Sequence, residues 1–113
     1  MGRLVFLSVL SALLLPVSVS AGVASEEPSV VISIKDHKFD TERVEIPAGQ
    51  RVKLIVKNLD PTPEEFESDD LGIEKIILGR MQTTVYVGPL EPGEYVFFGE
   101  FHLDTAQGLL IVR

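Results

Sequence analysis

A small all-β sandwich is the fold class this sequence predicts. Apolar residues recur at every second position in several short segments, the period of a strand buried on one side. Turns rich in Gly and Pro separate those segments at regular spacing, and no stretch keeps the helical period. Short, evenly spaced strands of this kind pack as two facing sheets.

The N-terminus stands apart from that pattern. Arg3 supplies a positive charge, Leu4 to Leu15 are apolar, and Pro16 breaks the run. Small residues then offer cleavage after Ala21 or after Ala24. The apolar run is shorter than the roughly 20 residues of a membrane-spanning helix, and no stop-transfer segment follows it. Residues 1–24 are therefore expected to be a secretory signal peptide. Residues 25–113 form one domain of about 90 residues, with no insertion into the membrane once the signal is removed.

Within that domain, Val30, Ile32 and Ile34 alternate with Val31, Ser33 and Lys35, which predicts a first strand. Asp36 to Asp40 reads as a loop and Val44-Glu45-Ile46 as a brief strand. Pro47-Ala48-Gly49-Gln50 is a turn in which Gly can take a positive φ. Val52, Leu54 and Val56 point one way from the next strand, which ends at the proline-containing loop Asn58 to Pro63. Further strands are expected at Ile73 to Leu78, Gln82 to Val87, Glu94 to Phe98 and Leu109 to Val112, with turns at Gly79-Arg80, Gly88-Pro89 and Pro92-Gly93.

The formal net charge of −7 argues against nucleic acid as a partner and favours cations. The chain has no Cys. Disulfides are therefore excluded, and a small domain must rely on sheet packing or on a metal. The sequence lacks a phosphate-binding Gly-rich loop, a Ser-His-Asp order, CxxC and HExxH, so hydrolytic chemistry has no support.

Five blocks carry a resemblance: Asp36-His37-x-Phe39, Ile46-Pro47-Ala48-Gly49, Thr62 to Ser68, Gly88-Pro89-Leu90-x-Pro92-Gly93-x-Tyr95, and Phe98-Gly99-Glu100-Phe101-His102. In this order they resemble the cupredoxins, and among them the small periplasmic proteins of bacterial ferrous-iron uptake of the FtrB type, similar to the cupredoxin domain of EfeO. The resemblance covers nearly the whole mature chain. It implies a Greek-key β-sandwich with a metal site at one end, and a periplasmic location. It also implies copper or iron as cofactor, and as partner an iron permease or iron-binding protein of the same uptake system. In the corresponding cupredoxin positions Gly99 occupies the cysteine slot, His102 the histidine slot and Gln107 the axial slot. Without a thiolate, a type 1 blue copper site is ruled out.

The remaining ligand slot falls in Pro63-Glu64-Glu65-Phe66-Glu67. As a strand, this segment sends Phe66 to the core and Glu65 and Glu67 together to the opposite side. As a helix start, Thr62-Pro63-Glu64-Glu65 would be a capping box and the carboxylates a solvated acidic turn. The expected metal set is Glu65, Glu67, Glu100 and His102, with His37 near, where it either binds metal or bonds its own loop. Gln107 offers an axial carbonyl oxygen or a loop hydrogen bond. Oxygen donors suit Fe(II), Fe(III), Mn(II) or Cu(II) and disfavour Cu(I). They also favour ferric over ferrous iron, which is the physical case for ferroxidase-like chemistry. The expected function is assistance in ferrous-iron oxidation or hand-over to a permease. The alternatives are a non-redox metal chaperone or a metal-free adaptor.

Overall fold

Alternation builds both layers of the molecule. The computed structural model describes residues 1–18 and 27–113; residues 1–18 carry no regular secondary structure, and Ala21 and Ala24 lie outside the described residues. Among the described residues no helix is long and apolar enough to cross a membrane. Nine strands follow: β1 (Ser29–Lys35), β2 (Lys38–Phe39), β3 (Arg43–Ile46), β4 (Val52–Asn58), β5 (Glu64–Ser68), β6 (Ile73–Ile77), β7 (Gln82–Val87), β8 (Gly93–Gly99) and β9 (Gln107–Val112). A single 3₁₀ turn, Glu100–His102, joins β8 to the loop before β9.

One sheet has the order β2-β1-β4-β7 and the other β3-β9-β8-β5-β6. Both are mixed, because β1 runs parallel to β4 and β3 parallel to β9. Parallel neighbours need a crossover, and the chain makes it by moving between sheets at β3, β4, β5, β7 and β8. The result is the Greek-key sandwich.

The inward positions of the two sheets form the core. Ile32, Ile34, Val52, Leu54, Val56, Val85 and Val87 come from one, and Val44, Ile46, Phe66, Ile73, Ile77, Phe97, Leu110 and Val112 from the other. Full burial of an aliphatic or aromatic side chain of this size is worth about 1.5–3 kcal/mol. With no cysteine present, this packing holds the sheets together. Phe39, Phe66 and Phe97 meet at the end of the core that carries the candidate site, with ring centroids 4.9, 5.5 and 6.0 Å apart. Phe97 lies so close over Gly108 that a Cβ there would sit 2.3 Å from the ring.

The expected loop Asp36 to Asp40 is instead a tight hairpin. Lys35 pairs with Lys38 and Ile34 with Phe39, which buries Phe39 and leaves only Asp36 and His37 at the tip. Burial of one aromatic ring pulls the segment into the sheet, a tertiary gain invisible to local alternation. The strand reading of Glu64–Ser68 holds over the helical one: β5 is paired on both sides, with β6 and with β8.

Candidate metal centre

The site is assembled at the end of the sandwich where the β1–β2 hairpin, the loop after β4, the start of β5 and the 3₁₀ turn meet. Asp36 and His37 both have positive φ, 52° and 59°, as a two-residue type I′ hairpin turn demands of its central residues. Neither is Gly, so the turn needs outside support. Asp60 provides it: its carboxylate accepts hydrogen bonds from the Asp36 amide at 2.8 Å and the His37 amide at 3.0 Å. Burial pushes the Asp60 carboxyl up, but these two amides and the nearby imidazoles of His37 and His102 outweigh it and hold the group below its ordinary range. Asp60 is itself placed by Asn58, whose side-chain oxygen accepts from the Asp60 amide while its NH₂ donates to the carbonyls of Thr62 and Ile77.

Glu64 opens β5 and points inward, on the same side as Phe66. It is 1% exposed. Its Oε1 accepts from the Phe101 amide at 2.9 Å and the Glu65 amide at 3.0 Å. Its Oε2 lies 2.5 Å from His102 Nδ1. The two side chains are hydrogen-bonded to each other.

Space for this carboxylate exists because residue 99 is glycine. The pairing Phe66↔Gly99 brings the end of β8 beside the start of β5. A Cβ at position 99 would stand 2.7 Å from Glu64 Cδ, 2.9 Å from its Oε1 and 2.8 Å from the Ala106 methyl. The slot that the resemblance gives to a cysteine thus holds a carboxylate delivered from another strand. Sequence reasoning passed over Glu64, although the signal was present: a residue two before the inward Phe66 shares its face.

His37 covers this pair from the hairpin. Its ring stacks on His102 with centroids 3.5 Å apart and planes 10° from parallel, and its Nε2 faces Thr62 Oγ1 at 3.4 Å. The Thr105 hydroxyl donates to the His37 carbonyl, fastening the hairpin to the loop after the 3₁₀ turn. Imidazole lone pairs lie in the ring plane, so two parallel stacked rings cannot aim at one ion. The donor set therefore does not fit a thiolate copper centre, and His37 does not complete a chelate in this arrangement. Glu64 and His102 do fit a divalent transition ion in donor type, a carboxylate oxygen facing an imidazole nitrogen.

The other expected ligands lie elsewhere. Glu65 and Glu67 project from the outer face of β5, away from Glu64, because strand side chains alternate. The expected grouping of Glu65, Glu67, Glu100 and His102 is therefore not assembled as one site. Glu65 and Glu67 gather with Glu74 of β6, one carboxylate oxygen of each within 4.8 Å of the others. A hydrogen bond with Glu74, burial, and repulsion from Glu74, Glu67 and Glu100 push the Glu65 carboxyl up. Glu67 is also pushed up, by burial and by the charges of Glu100, Glu74 and Asp69. Glu100, in the 3₁₀ turn, lines the cleft with His37, His102, Asp104 and Thr105 and acts on the acidic face only through its charge. Gln107 is exposed at the start of β9, where its amide donates to the Leu103 carbonyl at 2.8 Å. That fastens the loop and turns the side chain to the loop rather than to the Glu64–His102 pair.

Comparison with known proteins agrees with this architecture. The family model for the cupredoxin-like domain matches residues 5–112. An uncharacterized protein of Rickettsia prowazekii, RP394, is 51% identical over 84 residues, 74% of this chain and 67% of its own. Among solved structures, the metal-binding domain of the Cu(I)-exporting P-type ATPase CopA of Streptococcus pneumoniae, with Cu(I), superposes with a TM-score of 0.68 at 15% identity. That match covers 75% of this chain and 84% of the other. Auracyanin A, a blue copper protein of Chloroflexus aurantiacus, gives a TM-score of 0.68 at 17% identity over 78% of this chain and all of its own. At such identities the likeness concerns the fold.

Proposed function

The chain belongs to the cupredoxin-like domain family, and from that premise we propose that it is an exported protein that binds copper or iron through Glu64 and His102. One observation carries the reading: a carboxylate buried to 1% exposure is aimed at an imidazole nitrogen, in space that position 99 vacates by being glycine. A buried carboxylate is costly unless paired, and here its second oxygen faces a nitrogen that binds metals well when neutral.

When bound, a divalent ion would supply an oxygen- and nitrogen-ligated redox centre without thiolate. The chain's own groups do the rest. The Phe101 and Glu65 amides fix the orientation of the Glu64 carboxylate, so that it faces His102 whether or not an ion is present. Their mutual hydrogen bond must open before both can act as ligands, so metal binding competes with that contact. His37, on its braced hairpin, shields the His102 ring from solvent and sets how easily the pair opens. With oxygen donors favouring the higher oxidation state, the role we propose is assistance in ferrous-iron oxidation or hand-over to an iron permease in the periplasm, supported by the sequence resemblance. A metal-free adaptor is the second reading, favoured by the fact that Glu64 and His102 already satisfy each other.

Calorimetric titration of the chain with Cu(II), and with Fe(II) without oxygen, tests this. One saturable site without intense blue colour, weakened at least tenfold by His102→Ala and by Glu64→Gln, is expected. Affinity unchanged in both variants, or negligible in the native chain, would leave the adaptor.

A further inference from the structure

The two sheets carry opposite charge. The strands of the four-stranded sheet contain four lysines, Lys35, Lys38, Lys53 and Lys57, and no Asp or Glu. Those of the five-stranded sheet contain six glutamates against Arg43 and Lys75. In a chain of formal net charge −7, positive charge is thus gathered on one face.

Alternation sends the four lysines outward, away from the core that Ile34, Leu54 and Val56 join. Lys35 stands directly opposite Lys38, a like-charge pairing that strands ordinarily avoid. Among the described residues no ion pair involves any of the four. Arg51, by contrast, is taken up by Glu27 and by the Tyr86 ring, 4.0 Å away. Asp40 meets this sheet only at its edge, where it accepts the Ser33 amide. Val31 and Tyr86 stand between the lysines, 46% and 47% exposed, with Tyr86 directly opposite Lys53.

We propose that this outer face docks, without insertion, on a bilayer surface of anionic phospholipid headgroups. Charge complementarity selects an anionic partner, because each basic side chain held near such a surface adds attraction. The residue type selects a membrane over a protein, since interfaces between proteins are depleted in Lys. Lysine stems reach out to the headgroups, and Tyr86 offers a ring with a polar tip of the kind that suits a membrane–water boundary. The acidic sheet is turned away from the bilayer, which fixes one orientation. This docking does not depend on metal binding.

The chain has no Cys, so a single introduced cysteine can carry a polarity-sensitive fluorophore. The full chain is mixed with vesicles of phosphatidylglycerol and phosphatidylcholine, or of phosphatidylcholine alone, at about 0.1 M salt. A label at Thr84→Cys, on the basic face, should shift to the blue with anionic vesicles. One at Glu94→Cys, on the other sheet, should not. Lys53→Glu with Lys57→Glu should weaken binding to anionic vesicles roughly tenfold or more. Arg43→Glu with Lys75→Glu makes the same change of charge on the other sheet and should alter binding less than about threefold. Circular dichroism checks that both variants fold. The apolar run Leu4 to Leu15 is the same in every variant and cannot produce a difference between them. Equal loss in the two variants, equal shifts at the two labels, or as large a shift at Thr84→Cys with neutral vesicles would each overturn the proposal. Retention on immobilised polyglutamate without any response to anionic vesicles would also overturn it, in favour of an acidic protein partner.

Discussion

Glu64 and Gly99 depend on each other: the glycine leaves room, and the carboxylate fills it. Adding a methyl at 99 places it 2.7 Å from Glu64 Cδ and 2.8 Å from the Ala106 methyl. Overpacking of this kind costs about 1–3 kcal/mol, which urea denaturation of Gly99→Ala should register. The cost should shrink when Glu64→Ala is also present, since the obstructing carboxylate is gone; strict additivity would show that the two do not share the space. Glu64→Gln keeps the shape and weakens the bonds to His102 and the two amides, an expected loss of about 1.5–3 kcal/mol.

At the same scale, the sequence displayed His102 and His37 as candidates, and the structure stacks them. It did not display Glu64. Period two marked that residue as inward, yet a Glu on a core-facing position reads as an anomaly until Gly99 and the Phe101 amide are seen beside it. Those neighbours come from the end of β8 and the 3₁₀ turn after it, more than thirty positions away, and such pairing is not written in local pattern.

Among elements, the β1–β2 hairpin carries the greatest tension between local preference and tertiary demand. Two non-glycine residues hold positive φ at its tip, and Asp60 compensates from the loop after β4. Asp60→Ala should therefore cost about 1.5–3 kcal/mol through the loss of two charge-assisted bonds. It should also weaken metal binding, because His37 no longer rests on His102. A variant of native stability would mean that the turn holds itself. Strands such as β1 and β4 were legible because they alternate. The hairpin was not, because its reward is the burial of Phe39 against Phe66 and Phe97.

For the molecule as a whole, two sets of carboxylates pull stability in opposite directions with pH. Asp60 has a folded pKa below its ordinary 3.8, so its contribution is complete above that value and is lost as pH falls through the folded one. Glu65 and Glu67 have folded values above their ordinary 4.5. In metal-free protein they therefore oppose folding at neutral pH, and that opposition fades as pH falls toward 4.5. Unfolding free energy measured in chelator should rise from neutral pH toward that value and then decline in stronger acid. Glu74→Gln should flatten the rising limb; a steady decline from neutral pH in the native chain would contradict this assignment of charges.

The sandwich frame and the buried pair together place a carboxylate beside the position that the resemblance gives to a cysteine. The most direct measurement is anomalous X-ray diffraction from crystals of the chain grown with Cu(II). A copper peak between the Glu64 carboxylate and the His102 imidazole, with no sulfur ligand, is the result predicted. Copper bound only at the outer carboxylates, or no ordered copper with the Glu64–His102 contact intact, would contradict it.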